Sequence, residues 1–158
     1  MGSKRCPHAM SHIHLILPWP PSVNRYWGSR GNRRFINKDG REFRQMVSEI
    51  CSTMNVTSLT GRLAMFVALF PPDKRERDLD NYLKATQDAC EHAGCYQSDS
   101  QIDHIQVIRQ APCKGGRCAI VIVEVSSEPS QSLSRYRTPL DAVRGLAQEA
   151  QALVGANH

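Results

Sequence analysis

Two aspartates, Asp78 and Asp80, stand one residue apart where an apolar run ends and a helical pattern begins. That pattern covers residues 82–93, so both carboxylates are expected at one helix N-terminus, whose partial positive charge eases their repulsion. Two carboxylates this close also attract a divalent cation. Lys84 follows Asp80 by four residues and is expected on the same helix face. The spacing indicates either a capped helix or a metal-binding acid pair beside a lysine.

The simpler of these two interpretations is structural. Asp78 is a good N-cap residue for the backbone N–H of Asn81, while Asp80 complements the helix dipole and Lys84 pairs with Asp80. The basic surroundings favour the catalytic interpretation, because enzymes that act on phosphodiesters combine metal-binding acids with cationic groups. The neighbouring cations are Lys74, Arg75 and Arg77.

Composition limits the class of protein. A chain of 158 residues is long enough for one domain with a buried core and short for two. The net charge of +5 modestly favours a polyanionic partner. The sequence contains no apolar run of membrane-spanning length and no signal-peptide core, so we expect a cytoplasmic protein that does not contact a membrane.

Six cysteines raise the question of zinc or disulfides, since Cys90 and Cys95 have the same spacing as Cys113 and Cys118. Structural zinc sites favour shorter spacings on tight turns, and a cytoplasmic location argues against disulfides. Cys51 and Cys90 also fall on the apolar stripes of the two predicted helices, where a thiol behaves as a small hydrophobe. We therefore expect free thiols in the core.

Hydrophobic periodicity predicts the elements that position the two acids. The predicted strands cover residues 12–17, 33–37, 63–70, 102–109 and 119–125, and the predicted helices cover residues 39–54 and 82–93.

The ends of the chain differ in composition from this region. Residues 1–11 have no periodicity and are expected to be disordered, residues 12–125 form the predicted domain, and residues 126–137 form a Ser-rich linker. Residues 138–154 are predicted to form an amphipathic helix that must bury its apolar stripe. That stripe consists of Leu140, Val143, Leu146, Ala147, Ala150 and Leu153.

An aromatic and basic segment over residues 19–34 is suited to phosphates or unstacked bases, although its two tryptophans fit a core role equally well. Together with the cations around the acid pair, it supplies the candidates for phosphate contacts. These are Arg25, Arg30, Arg33, Arg34, Lys74, Arg75 and Arg77.

Four motifs in chain order resemble the RusA family of Holliday junction resolvases. They are residues 17–22 (Leu-Pro-Trp-Pro-Pro-Ser), 24–25 (Asn-Arg), 77–81 (Arg-Asp-Leu-Asp-Asn) followed by Lys84, and 98–101 (Ser-Asp-Ser-Gln). The resemblance covers residues 12–125.

The resemblance implies an α+β fold in which a mixed β-sheet packs with two main helices, here extended by the C-terminal helix. It implies a homodimer that binds four-way junction DNA and, with Mg²⁺ or alternatively Mn²⁺, cuts two strands symmetrically. The catalytic and metal-binding acids fall on Asp78, Asp80 and Asp99, and the essential lysine on Lys84. Asn24 and Arg77 match further motif positions, in weaker roles that include DNA contact. Ser98 is a departure, because family members often carry an acid there.

Two other functions are consistent with the sequence: a branched-DNA-binding protein that does not cleave, and a non-nucleolytic small α+β domain whose acids merely cap a helix. Incubating labelled four-way junction and linear duplex with the protein, with and without Mg²⁺, discriminates all three.

Overall fold

The computed structural model of the protein describes residues 12–125. The predicted N-terminal segment 1–11, linker 126–137 and helix 138–154 lie outside the described residues. The strands are β1 (His12–Pro18), β2 (Trp27–Arg30), β3 (Arg33–Ile36), β4 (Arg62–Phe70), β5 (Ile102–Arg109) and β6 (Arg117–Val125), and the helices are α1 (Val23–Tyr26), α2 (Lys38–Thr53) and α3 (Asp80–His92).

The main sheet has four strands in the order β1-β6-β4-β5. Strand β6 is antiparallel to both of its neighbours, whereas β4 and β5 are parallel. Parallel neighbours need a crossover connection, and α3 supplies it. Strands β2 and β3 form a separate hairpin. The fold is therefore α+β, with a mixed four-stranded sheet and two main helices, which confirms the fold class that the resemblance implied.

Strand β4 is buried on both faces, as its continuous apolar run predicted. On one face Met65 and Val67 join a core cluster that contains Val47 from α2 and Ala89 from α3. On the other face Phe66 belongs to a second cluster, which contains strand residues and no helix residue among those described. Helices α2 and α3 therefore lie on the same face of the sheet.

Helix α2 begins after the N-cap residue Asn37, and no side chain of the described residues caps its first turn. Asp39 instead forms an ion pair of 2.6 Å with Arg25. Met46 lies at the edge of the buried stripe of α2 and is 41% exposed.

The described cysteines are free thiols, as expected. Cys51, Cys90, Cys95 and Cys118 are buried, and the Sγ atoms of Cys51 and Cys95 lie 3.6 Å apart. Burial raises the pKa of the Cys118 thiol to about 12. Among residues 12–125, no helix is long and apolar enough to cross a membrane.

Candidate active site

The loop from β4 to α3 is fixed from within. The Arg77 guanidinium donates two hydrogen bonds to the Asp73 carboxylate, of 2.7 and 2.9 Å, and lies 5.9 Å from the centre of the Trp19 ring. The hydrogen bonds from Arg77 and from the Arg75 backbone lower the pKa of Asp73 from 3.8 to about 2. Arg109 also donates a hydrogen bond to the Arg77 carbonyl oxygen. These contacts hold the backbone that presents Asp78.

Asp78 does not cap α3. Leu79 occupies the N-cap position with helical dihedral angles, and no side chain caps the first turn. The Asp80 carboxylate accepts a hydrogen bond of 3.0 Å from the backbone N–H of Asn81. Both Asp78 and Asp80 are exposed. The capping interpretation was therefore wrong, and the Asp78 carboxylate is available for other partners.

Lys84 binds two carboxylates, neither of which is Asp80. Its Nζ donates to Oδ2 of Asp99 at 2.7 Å and lies 2.9 Å from Oδ1 of Asp88. Burial opposes the charge of Lys84, but the hydrogen bonds to Asp99 and Asp88 outweigh it and raise the pKa of the ammonium group. The hydrogen bond from Lys84 lowers the pKa of Asp99. Lys84 is therefore held in its charged form.

Asp99 is positioned by a 3-10 turn over Asp99–Gln101 that precedes β5. Its backbone N–H donates to Oε2 of Glu91 on α3 at 3.0 Å. The Gln101 amide accepts from the backbone N–H of Ser98 at 3.0 Å and donates to the Gly61 carbonyl oxygen at 2.9 Å. Ser98 Oγ accepts from the backbone N–H of Ser100. Ser98, the departure from the family pattern, therefore caps the turn.

The structure does not gather the three predicted acids into one cluster. Within residues 12–125, no three His, Cys, Asp or Glu side chains are placed so that they could hold a metal ion. The topology explains this, because Asp80 follows the end of β4 whereas Asp99 precedes β5, whose first residue pairs with Leu63 at the start of β4. Because β4 and β5 are parallel, these two points lie toward opposite ends of the strands. The Lys84 side chain spans part of the distance between them.

The donor chemistry nevertheless fits a hard cation. Asp78 and Asp80 offer exposed carboxylate oxygens, and Mg²⁺ is usually bound through one or two carboxylates together with water and substrate phosphates. Asp99 offers a third carboxylate that Lys84 engages in this structure.

Asp88 was missed by the sequence analysis. Its side chain is 11% exposed, and its Oδ2 atom is buried with no hydrogen-bond partner within the described part of the chain. Asp88 lies four residues after Lys84 on α3, and this spacing is the signal that identifies it as a partner. Among the supporting contacts, Asp73 pairs with Arg77 at the same four-residue spacing and Ser98 forms a capping box with Gln101, whereas the contact of Glu91 with Asp99 carries no local sequence signal.

The predicted DNA-contacting residues form three exposed groups, on α1, on the β2–β3 hairpin and on the loop before α3, and one residue faces inward. Arg30, Arg33 and Arg34 are exposed on the β2–β3 hairpin, and Lys74 and Arg75 are exposed on the loop before α3. The Arg34 guanidinium lies 5.2 Å from the centre of the Trp27 ring. The inward-facing residue is Arg77, whose side chain is 16% exposed.

A cleft of about 420 Å³ lies between α1, α2 and the loop before α3. Arg25 lines this cleft together with Trp19, Arg77 and Tyr82. Asn24 and Arg25 lie on α1, and both are exposed. The cleft therefore lies between the exposed residues of α1 and the loop that carries Arg77.

Comparisons with known proteins show to which family the chain belongs. The family model described as endodeoxyribonuclease RusA matches residues 18–126. A protein of Enterobacteria phage HK97, named crossover junction endodeoxyribonuclease rusA, is 40% identical over 119 residues, which cover 75% of this chain and 99% of the relative. Relatives of that name from Enterobacteria phage 82 and Escherichia coli strain K12 are 36% and 34% identical over 120 residues, covering 75% of this chain and 100% of each relative. The chain belongs to the RusA endodeoxyribonuclease family.

Proposed function

We propose that this protein is a Mg²⁺-dependent endodeoxyribonuclease that resolves four-way DNA junctions by paired, symmetric phosphodiester cleavage. The observation that carries the proposal is the position of Lys84 between Asp99 and Asp88, on the helix that begins at Asp80. A charged lysine held one helical turn from an exposed acid pair suits an anionic phosphoryl group. The names of the relatives supply the substrate and the reaction type.

Asp78, Asp80 and Asp99 are the proposed metal ligands. Mg²⁺, or alternatively Mn²⁺, would supply a nucleophile from its bound water and stabilise the charge on the phosphoryl oxygens. In the absence of metal Lys84 neutralises Asp99 and Asp88, and it offers a positive charge to the scissile phosphate. Because Asp88 is a second acceptor, Lys84 stays charged and in place when Asp99 is engaged elsewhere.

The exposed cations position the DNA backbone rather than read its sequence. The proposed phosphate contacts are Arg25 on α1, Arg30, Arg33 and Arg34 on the β2–β3 hairpin, and Lys74 and Arg75 on the loop before α3. Asn24 joins this group because it is exposed beside Arg25. Arg77 contributes mainly by holding the loop, since both of its terminal nitrogens are bound to Asp73.

The proposed active form is a homodimer, because paired cuts in one junction require two active sites related by a two-fold axis.

A cleavage assay on end-labelled four-way junction and linear duplex, with Mg²⁺ or with EDTA, tests the proposal. We expect two symmetric cuts in the junction with Mg²⁺, intact duplex, and no cleavage in EDTA. Binding of the junction without cleavage in Mg²⁺ would identify a non-cleaving junction binder. If the protein neither binds nor cuts the junction, the non-nucleolytic interpretation holds.

A further inference from the structure

The sheet face turned away from α2 and α3 is apolar and buried. Ala64, Phe66 and Ala68 of β4 and Val121 and Val123 of β6 are each 0% exposed. Their cluster takes its other members from β4, β5, β6 and the loop residue Cys113, and from none of the described helices. Side chains stand roughly perpendicular to a sheet, so a phenylalanine on an uncovered face would be exposed. This burial requires a covering layer that no described helix supplies.

The shape of this face suits a helix. Three of its seven buried residues are alanines, Ala64, Ala68 and Ala119, whose small side chains allow close approach. Strands β4 and β6 have nine residues each and extend about 30 Å. A helix over residues 138–154 would be about 25 Å long. Its length therefore matches the strands that it would cover.

We propose that residues 138–154 form a helix that packs its apolar stripe against this second face of the sheet. The stripe defined above gives the segment one apolar side, whereas residues 1–11 have no such periodicity. Strand β6 ends at Val125 next to β4, and linker 126–137 spans up to about 40 Å when extended. That reach allows the chain to turn back over the sheet.

The proposed layer is an addition to the family domain. The match to the family model ends at residue 126, so the segment lies beyond it. The sheet then lies between α2 and α3 on one face and the C-terminal helix on the other. In a dimer of this chain, the contact between protomers lies outside the covered face.

Site-specific photo-crosslinking in the full-length protein tests the contact. Leu146→p-benzoylphenylalanine places the probe on the apolar stripe, and Gln148→p-benzoylphenylalanine places the same probe on the opposite helix face. We expect the probe at position 146 to crosslink to peptides of β4 or β6, and the probe at position 148 not to. A mixture of isotopically light and heavy chains distinguishes crosslinks within one chain from those between two copies.

Crosslinks from position 146 that reach only a second copy, or only another surface, would overturn the proposal, as would equal labelling from both positions. Thermal unfolding gives an independent measurement. We expect Leu146→Asp to lower the midpoint by roughly 5–10 °C and to increase binding of a hydrophobic dye, and Gln148→Asp to do neither. Identical midpoints for the two variants would also contradict the proposed packing.

Discussion

Lys84 donates a hydrogen bond of 2.7 Å to Asp99, which lies 15 residues further along the chain, while Asp88 on its own helix lies 2.9 Å from the same nitrogen. The two acceptors are unequal, because the Asp99 side chain is 40% exposed and that of Asp88 is 11% exposed. Water and ions reach Asp99 more easily. Asp99 is therefore the partner that Lys84 is expected to exchange, and Asp88 the one that it keeps.

This inequality predicts a metal phenotype for Asp88→Asn. With its second acceptor weakened, Lys84 depends on Asp99 and competes with Mg²⁺ for that carboxylate. We expect the Mg²⁺ concentration for half-maximal cleavage to rise about tenfold, as for other residues that support a metal ligand, with junction binding in EDTA unchanged. Titrating single-turnover cleavage with Mg²⁺ measures the shift, and isothermal titration of Mg²⁺ into the protein provides a second readout.

The matched control is Asp103→Asn, which also removes one carboxylate that is hydrogen-bonded to a cation, in this case Arg62 at the start of β4. An Asp88→Asn protein with the same Mg²⁺ requirement as Asp103→Asn would show that Asp88 does not hold Lys84 for catalysis.

The ion pair between Lys84 and Asp88 also predicts an effect on the stability of the fold. Lys84→Met removes the cationic partner of Asp88 among the described residues, and one oxygen of the Asp88 carboxylate is already buried without a hydrogen bond from any of those residues. We expect the free energy of unfolding to fall by roughly 1–3 kcal/mol, and the double variant Lys84→Met/Asp88→Asn to recover most of this loss. Urea unfolding of the single and the double variant measures both free energies of unfolding. Equal destabilisation in the single and double variants would exclude the buried charge as the cause.

Much of the fold could be predicted from the sequence because strand burial is a local pattern. The continuous apolar run of β4 and the alternation in β1 predicted which residues are buried. The parallel pairing of β4 with β5 could not be predicted from periodicity, because it depends on where α3 returns the chain.

The candidate site was less predictable than the fold. The four-residue spacing from Asp80 to Lys84 suggested a pair, but Lys84 turns instead to Asp88 and Asp99. Contacts across 15 residues of chain leave no trace in helical spacing. Likewise, Asp78 has the side chain of an N-cap residue, but the helical backbone at Leu79 leaves the first turn without a side-chain cap.

A pH dependence follows from Asp73, whose pKa is lowered from 3.8 to about 2 chiefly by the hydrogen bonds from Arg77. Because the folded pKa lies below the ordinary one, this carboxylate stabilises the fold above about pH 4, and the contribution is lost as the pH falls toward 2. We expect the stability difference between wild type and Asp73→Asn to shrink over that interval in urea unfolding. In an Arg77→Gln background, this pH-dependent difference should be smaller, because the hydrogen bond from the Arg75 backbone still lowers the pKa of Asp73 but those from Arg77 are gone.

The exposed arginines predict a salt effect. If Arg33 and Arg34 neutralise DNA phosphates, then Arg33→Gln/Arg34→Gln should weaken junction binding and reduce the slope of log affinity against log salt by up to about 2. The control is Arg62→Gln, which removes an arginine at the start of β4 rather than on the hairpin. Fluorescence anisotropy over a range of salt concentrations measures both quantities. An unchanged slope in the double variant would remove the hairpin from the DNA-binding surface.

Single-turnover cleavage of a labelled four-way junction by Asp78→Asn, Asp80→Asn and Asp99→Asn, at protein concentrations that saturate binding in Mg²⁺, tests the central claim most directly. We expect each variant to bind the junction as tightly as wild type or more tightly, because a negative charge near the phosphates is removed, and to cut it at least about a hundredfold more slowly. Asp78→Asn is the sharpest of the three, because Asp78 does not cap α3 and Asn keeps the size of the side chain, so a slower rate reports the lost negative charge. Wild-type cleavage by all three variants would contradict the proposed active site.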